Sequence, residues 1–297
     1  MIKVKVPATS ANLGPGFDTF GLALDLFLTV EAAEAIKTSC RFTGEGQDQL
    51  NQEEEENIII KAIKRVFREA GETAPDLALT VNNQIPIGKG LGSSAAAIVS
   101  GVLIGNELLD KKFSHGQLIN IAADMEGHAD NIVPAMSGEL TTVMEDDKTV
   151  YYQKIKTPAD LKIIIAVPDF QLPTHKSREI LPEKADIHDT TANLQRACLL
   201  LASFFNGDFS LLDIAMDDKI YQPLRKQFIP GFDEVLNQAR AAGAKGAALS
   251  GAGPSVIAFA LNREEAVGQA MQEAFNKNNV SCRIFYLNPN HTGAVIF

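Results

Sequence analysis

One stretch, Pro86-Ile-Gly-Lys-Gly-Leu-Gly-Ser-Ser-Ala-Ala-Ala97, constrains this chain more than any other. Upstream, Leu77, Leu79 and Val81 alternate with polar residues and predict a strand. Downstream, the apolar run from Ser93 to about Leu109 predicts a long helix. Between them, Gly88, Gly90 and Gly92 let the backbone turn sharply and approach a ligand closely. Ser93 and Ser94 stand where a helix cap belongs. The first amides of the helix, at the positive end of its dipole, make a ready anion site. The plain alternative is a tight turn with a serine cap and no ligand, but three glycines and two serines exceed what a turn needs.

The familiar phosphate-binding patterns do not fit. Lys89 comes too early for Gly-Lys-Ser/Thr, and the last glycine of GxGxxG would fall on Ser93. Gly92-Ser-Ser94-Ala-Ala96 resembles a nucleophile elbow, with Ser94 as nucleophile and Asp130 and His175 or His188 as partners. That hydrolase reading leaves the upstream glycines without a role.

The anion site has to work in an acidic protein. The 297 residues include 27 Lys and Arg and 37 Asp and Glu, a net charge of −10. That balance disfavours a nucleic-acid partner, whose binding needs a surplus of cations. Peptide N–H groups can hold a few phosphates without one. The length predicts about two domains at roughly 100–200 residues each. Hydrophobic residues at 45% and charged residues at 22% describe an ordinary globular chain. Cys40, Cys198 and Cys282 are too far apart for a metal-ligand spacing and read as reduced, mostly buried thiols. No run reaches the ~18 apolar residues of a membrane span, so a cytoplasmic chain is expected.

Helical and strand patterns interleave along the chain, which gives an α/β or α+β class. Residues 1–6 and 22–33 read as strands flanking a turn-rich stretch over 7–21. Six acids between positions 43 and 57, including Glu53 to Glu56, read as a solvated loop entering a helix over about 57–70. Further helices are expected over about 114–126, 188–206, 208–216, 232–242 and 264–277. Residues 138–143 and 151–155 read as a hairpin turning at Glu145-Asp-Asp147. Strands are expected over 161–167, 247–249, 256–261, 282–287 and 294–297.

Three other stretches carry polar groups in rigid frames. Glu126-Gly-His-Ala-Asp-Asn131 packs two carboxylates, an imidazole and an amide into six residues. Alone it reads as a polar helix end. Beside an anion site it supplies what phosphoryl transfer needs: a carboxylate for a divalent ion and a group to orient an acceptor hydroxyl. Pro7-Ala-Thr-Ser-Ala-Asn-Leu-Gly-Pro-Gly-Phe-Asp18 follows the first strand, and Lys245-Gly-Ala-Ala-Leu-Ser-Gly-Ala-Gly-Pro-Ser255 makes a second small-residue turn.

Taken together, these stretches resemble the GHMP small-molecule kinase superfamily over essentially the whole chain. Within it, Thr9 to Asp18 and Gly127-His-Ala-Asp-Asn131 resemble the homoserine kinase branch. The resemblance implies a two-domain GHMP kinase fold of the α+β or α/β class. An N-terminal ATP-binding domain over 1–158 would carry a left-handed βαβ unit, against the general right-handed rule. A ferredoxin-like C-terminal domain would cover 159–297. The implied reaction is ATP-dependent phosphorylation of the side-chain hydroxyl of L-homoserine, in threonine biosynthesis.

By the same resemblance, Asn57, Pro86, Ile87, Gly88, Lys89, Gly90, Leu91, Gly92, Ser93, Ser94, Ala95 and Ala96 would hold ATP. Ser94, or Ser93, and Glu126 are the candidates for Mg²⁺. Asn12, Asp18 and His128 would lie around the amino-acid end of the acceptor, and Thr174, Arg178 and Arg225 around its carboxylate, which a guanidinium fork suits. Asp130 and Asn131 are the candidate catalytic residues, as positioners of the hydroxyl, with the base unassigned. The implied partner is a small molecule, neither nucleic acid nor membrane, and a homodimer is allowed. Mevalonate, a phosphomevalonate or a sugar is the alternative acceptor, and a non-catalytic binding module the alternative class.

Overall fold

The computed structural model describes residues 1–50, 57–172, 177 and 179–297. β1 (Ile2–Asn12) and β2 (Gly16–Glu34) form a long antiparallel hairpin. The turn-rich reading of 7–21 is therefore corrected: only residues 13–15 leave the strands. Pro7 is tolerated because it sits at a register shift between Pro7 and Ala8, where a missing N–H disturbs the ladder least.

β2 is 19 residues long and serves two partners. Its first part pairs with β5 (Leu140–Asp146) and its second with β4 (Leu77–Asn83). β3 (Ser39–Gly44) runs parallel to β4 at the sheet edge. Its single buried apolar side chain, Phe42, explains why no alternation marked it. The connection between this parallel pair passes through one helical turn, α1 (Gln47–Leu50), and α2 (Ile58–Ala70). The acids Glu53 to Glu56 lie outside the described residues.

Asn57 caps α2, accepting the amides of Ile59 and Ile60 on its side-chain oxygen, and Gly71 ends it in the left-handed conformation. Ile59, Ile63, Val66 and Phe67 form its buried face. Each contributes roughly 1.5–3 kcal/mol by leaving water. α3 (Ser93–Leu108) is apolar on nearly every side because α2, α4 (His115–Glu126), α5 (Ile132–Ser137) and β1 all pack around it. Ser114 caps α4 through a reciprocal bond with Gln117. β5 and β6 (Thr149–Ile155) form the expected hairpin, but its turn falls on Asp147 and Lys148, both at positive φ.

A second sheet is built from β7 (Lys162–Pro168), β8 (Gly246–Leu249), β9 (Val256–Ala260) and β10 (Cys282–Leu287). Its spatial order, β10-β7-β9-β8, is fourth-first-third-second in chain order and antiparallel throughout. That is the ferredoxin-like arrangement the resemblance implied. Both faces are covered. Ile164 and Ala166 of β7 join the core under α9 (Phe232–Ala242) and α10 (Glu264–Lys277), whereas Ile163, Ile165 and Val167 join the larger core with Leu200 and Phe204 of α6 (Ile187–Asn206). Double burial is why this strand reads as an unbroken apolar run.

The helix expected over 208–216 contracts to one turn, α7 (Leu212–Ala215). Another turn, α8 (Tyr221–Arg225), had no helical signal because it is five residues long and contains Pro223. The chain finally returns to the first sheet as β11 (Val295–Ile296), beside β1. Of the three cysteines Cys282 is buried, and burial pushes its thiol up to about 11. Cys40 is half-buried, and Cys198 is exposed on α6, contrary to the expectation of mostly buried thiols. Among the described residues no helix is long and apolar enough to cross a membrane.

Candidate active site

The turn between β4 and α3 borders a cavity of about 620 Å³. Gly88, Gly90 and Gly92 all have positive φ, between 67° and 75°. Gly90 and Gly92 are needed for a second reason, close approach. A Cβ on Gly90 would lie 2.1 Å from the Ser250 carbonyl oxygen, and one on Gly92 would lie 1.9 Å from Thr9 Oγ1.

Ser93 and Ser94 are not the cap. Gly92 occupies that position with no side-chain bond, and both serines are already helical. The first intrahelical bond runs from the Ala96 amide to Gly92 O at 2.9 Å, so the amides of Ser93, Ser94 and Ala95 precede the ladder; Ser93 and Ser94 line the cavity, whereas Ala95 and Ala96 are fully buried and do not. Without a capping side chain to take them, they remain donors for an anion. The Ser94 hydroxyl instead donates to Glu126 Oε2 at 2.7 Å. That engagement removes the nucleophile-elbow reading, since a hydrolase serine needs an imidazole there. His188 is an exposed residue near the start of α6, beside Asp189; His175 lies outside the described residues.

Glu126 ends α4, and Gly127 turns the chain back toward the cavity. His128 Nδ1 and Asp130 Oδ1 are 2.5 Å apart, and His128 Nε2 stands 4.0 Å from Glu126 Oε1. Asp130 is 2% exposed. Its Oδ1 also accepts Asn131 Nδ2 at 3.2 Å, while Asn131 Oδ1 accepts the Thr9 hydroxyl at 2.7 Å. Thr9 and Asp130 thus fix which end of the Asn131 amide donates. No local pattern marks Thr9 for this role, because its contact with Asn131 spans 122 residues of chain.

At the other end, Asn12 has left-handed φ, accepts the Asp18 amide on Oδ1 and donates Nδ2 to Gly251 O at 3.0 Å. Arg225 is 3% exposed and donates to Gly251 O and Ser177 O. Tyr221 stacks on Phe17 at 4.0 Å, and the guanidinium of Arg225 lies 5.3 Å from that ring. Asn12, Asp18, His128, Asp130, Asn131 and Arg225 all line one cavity with Glu126 and the turn. Thr174 and Arg178 lie outside the described residues. Asn57 lines the same cavity, as do the apolar residues Leu28, Phe42, Ile58, Pro86 and Ile87.

Lys89 lines the cavity through its backbone, but its amine donates to Pro168 O at 2.5 Å and Phe170 O at 2.7 Å. Burial pushes this ammonium below its usual range, and the nearby Asp169 opposes that shift. On the other side, Ser250 Oγ donates to Gly90 O at 2.7 Å and meets Ser10 Oγ at 2.8 Å. The turn is therefore fastened to the second sheet from two directions.

A glycine-lined helix start, a serine–carboxylate pair beside it and a polar pocket beyond lie along one cavity, the layout that the resemblance to small-molecule kinases of the GHMP class implied. The GHMP kinases N terminal domain matches residues 57–139, and the GHMP kinases C terminal domain matches residues 200–277. The homoserine kinase of Moorella thermoacetica is 42% identical over 293 residues, covering 99% of each chain. The crystal structure of homoserine kinase from Cytophaga hutchinsonii superposes with a TM-score of 0.89 at 32% identity, covering 100% of this chain and 97% of that one. A mevalonate kinase from L. major shares the fold alone, with a TM-score of 0.73 at 14% identity and coverage of 98% and 96%. The chain belongs to the homoserine kinase family of the GHMP kinases.

Proposed function

We propose that this chain transfers the γ-phosphoryl group of ATP to the side-chain hydroxyl of L-homoserine, forming O-phospho-L-homoserine and ADP in threonine biosynthesis. The observation that carries this reading is the continuity of one cavity. It runs from the free helix start, past the Ser94–Glu126 pair at 2.7 Å, to the His128-Asp130-Asn131 network and Arg225.

The amides of residues 88–95 hold the phosphates. The apolar residues that line the cavity with Asn57 take the adenine. Ser94 Oγ and Glu126 Oε2 are hard oxygen donors that suit Mg²⁺, and among the described residues no cluster of three or more acidic, His or Cys groups would form a closed all-protein site. When bound, the ion spreads the charge of the transferring phosphoryl group. Asp18 and His128 face the ammonium end of homoserine. Arg225 faces its carboxylate, with Thr174 and Arg178 as the further members of that set. Asn131, fixed by Thr9 and Asp130, orients the hydroxyl. The homoserine hydroxyl oxygen forms the new bond to the γ-phosphorus, the bond from that phosphorus to the bridging oxygen breaks so that ADP leaves, and the hydroxyl proton passes to solvent. No side chain needs to accept it, since the loose transition state rests on positioning and charge neutralisation. Residues 1–158 and 159–297 are the two domains of this reading.

A coupled ADP-release assay over homoserine, mevalonate, phosphomevalonate and galactose tests the substrate. Homoserine is expected to exceed the others by about a hundredfold or more in kcat/KM, as a site built to pair polar groups discriminates. Preference for another alcohol would overturn the reading.

Lys89→Met offers a separate check on the fastening of the turn. It leaves two carbonyls without their charged donor, about 1.5–3 kcal/mol. KM for ATP is expected to rise about tenfold and Tm to fall, with KM for homoserine within about twofold. An unchanged KM for ATP would mean that the amine is not what holds the turn in place.

A further inference from the structure

Asp218 stands in Asp217-Asp-Lys219, a run that reads as solvated surface, yet it is 3% exposed. Its hydrogen bonds come from neutral N–H groups. Oδ1 accepts Asn193 Nδ2 at 2.8 Å and the Ile220 amide at 2.9 Å; Oδ2 accepts the Gln222 amide at 2.5 Å; the Tyr221 amide lies 3.1 Å from both oxygens. Removing a carboxylate from water is costly unless such donors replace the water. Here the donors are the amides that open α8, a turn too short to persist by itself. Asn193 closes the arrangement, accepting the Lys219 amide on its oxygen. Gln222 then ties the turn to the second sheet by accepting the Leu249 amide at 2.7 Å.

The turn carries Arg225 to the cavity and sets Tyr221 behind Phe17, which lines it. Tyr221 stacks on Phe17 at 4.0 Å, and the Arg225 guanidinium lies 5.3 Å from the same ring. Phe17 and Arg225 line the cavity; Asp218 and Asn193 do not. We infer that Asp218 is a positioning residue for the acceptor end of the site, holding Tyr221 and Arg225 in place through the amides of α8. A carboxylate suits this task because both its oxygens accept, whereas an amide side chain offers one. The inference rests on the proposed reading in which Arg225 meets the acceptor carboxylate.

The test compares Asp218→Ala, Asp218→Asn, Arg225→Ala and the Asp218→Ala/Arg225→Ala double variant of the full chain in ATP-dependent homoserine phosphorylation. Asp218→Ala is expected to raise KM for homoserine about tenfold to a hundredfold, the scale of a lost charge-assisted bond. KM for ATP should stay within about twofold, and Asp218→Asn should fall between. In the double variant, removing Asp218 should add less than about threefold to the loss already caused by Arg225→Ala, because the two act in one chain. If Asp218→Ala does not fold, Asp218→Asn carries the same comparison. Equal rises in both KM values, an unchanged KM for homoserine, or full additivity would overturn the inference.

A substrate-free readout separates this from failure of the homoserine reading. The chain has four tyrosines and no tryptophan, so its near-UV circular dichroism reports tyrosine packing. Tyr221→Phe defines the share of the stacked ring. Asp218→Ala should lose that share whatever the substrate, and its retention would overturn the inference.

Discussion

Gly90→Ala is expected to abolish useful turnover while leaving a chain that still expresses and folds. The substitution meets two obstacles at once. The backbone sits at φ 75°, where an alanine costs roughly 1–2 kcal/mol. The added methyl would lie 2.1 Å from Ser250 O and 2.9 Å from the Gly253 amide nitrogen, both main-chain atoms of a turn buried between β8 and β9. Ser250 cannot retreat easily, because its hydroxyl bonds Gly90 O and Ser10 Oγ and its amide bonds Ser255 O. The turn must shift instead, and misplacing a phosphate cradle by about 1 Å costs about a hundredfold in rate. Steady-state kinetics in ATP should show kcat/KM reduced about a hundredfold or more. Gly88→Ala is the matched control. It has similar φ, but the nearest atoms to its methyl would belong to the Gln171 side chain, at an ordinary 3.6 Å. Equal losses in the two variants would show that φ alone matters and that contact with the second sheet does not.

The second large effect is expected at Glu126. Glu126→Gln keeps an oxygen to accept the Ser94 hydroxyl, so the end of α4 should persist and Tm should change little. What it removes is charge, at the place where the proposed function sets Mg²⁺ beside the transferring phosphoryl group. Loss of one such electrostatic element costs about a hundredfold to a thousandfold in kcat. The half-saturating Mg²⁺ concentration should rise in parallel, with KM for homoserine nearly constant. A variant with normal kcat and normal Mg²⁺ dependence would remove Glu126 from the metal assignment.

Much of this site was legible because its chemistry is local. The glycines and serines of residues 86–97 and the close spacing of Glu126 to Asn131 carry their meaning within a few residues. So do the long helices, whose apolar spacing and glycine stops are short-range signals. Three kinds of feature were hidden. The hairpin through Pro7 to Gly21 was masked by proline and glycine that elsewhere mark turns. The contraction of 208–216 and the turn at Tyr221–Arg225 depend on packing, not propensity. Ser10 with Ser250, 240 residues apart, and Lys89 with Pro168 are fastened by tertiary contacts that no spacing encodes. The serines after Gly92 show a subtler case: the residue types were right for a cap, but a left-handed glycine took that place and freed a hydroxyl for Glu126.

The fastening of the turn to the second sheet also bears on when order is acquired. Lys89 Nζ donates to Pro168 O, the Ser250 hydroxyl donates to Gly90 O and the Ser255 amide donates to Lys89 O, each across more than seventy residues, and Gly251 donates its amide to Ala11 O on β1. A hinge opening along this line would break those bonds together. The two lobes are therefore expected to melt in one cooperative transition, and the cradle to be rigid before ATP arrives. Its loss of conformational entropy falls at folding, so a nucleotide bound as proposed would meet donors already in place and its binding energy would not be consumed in arranging them.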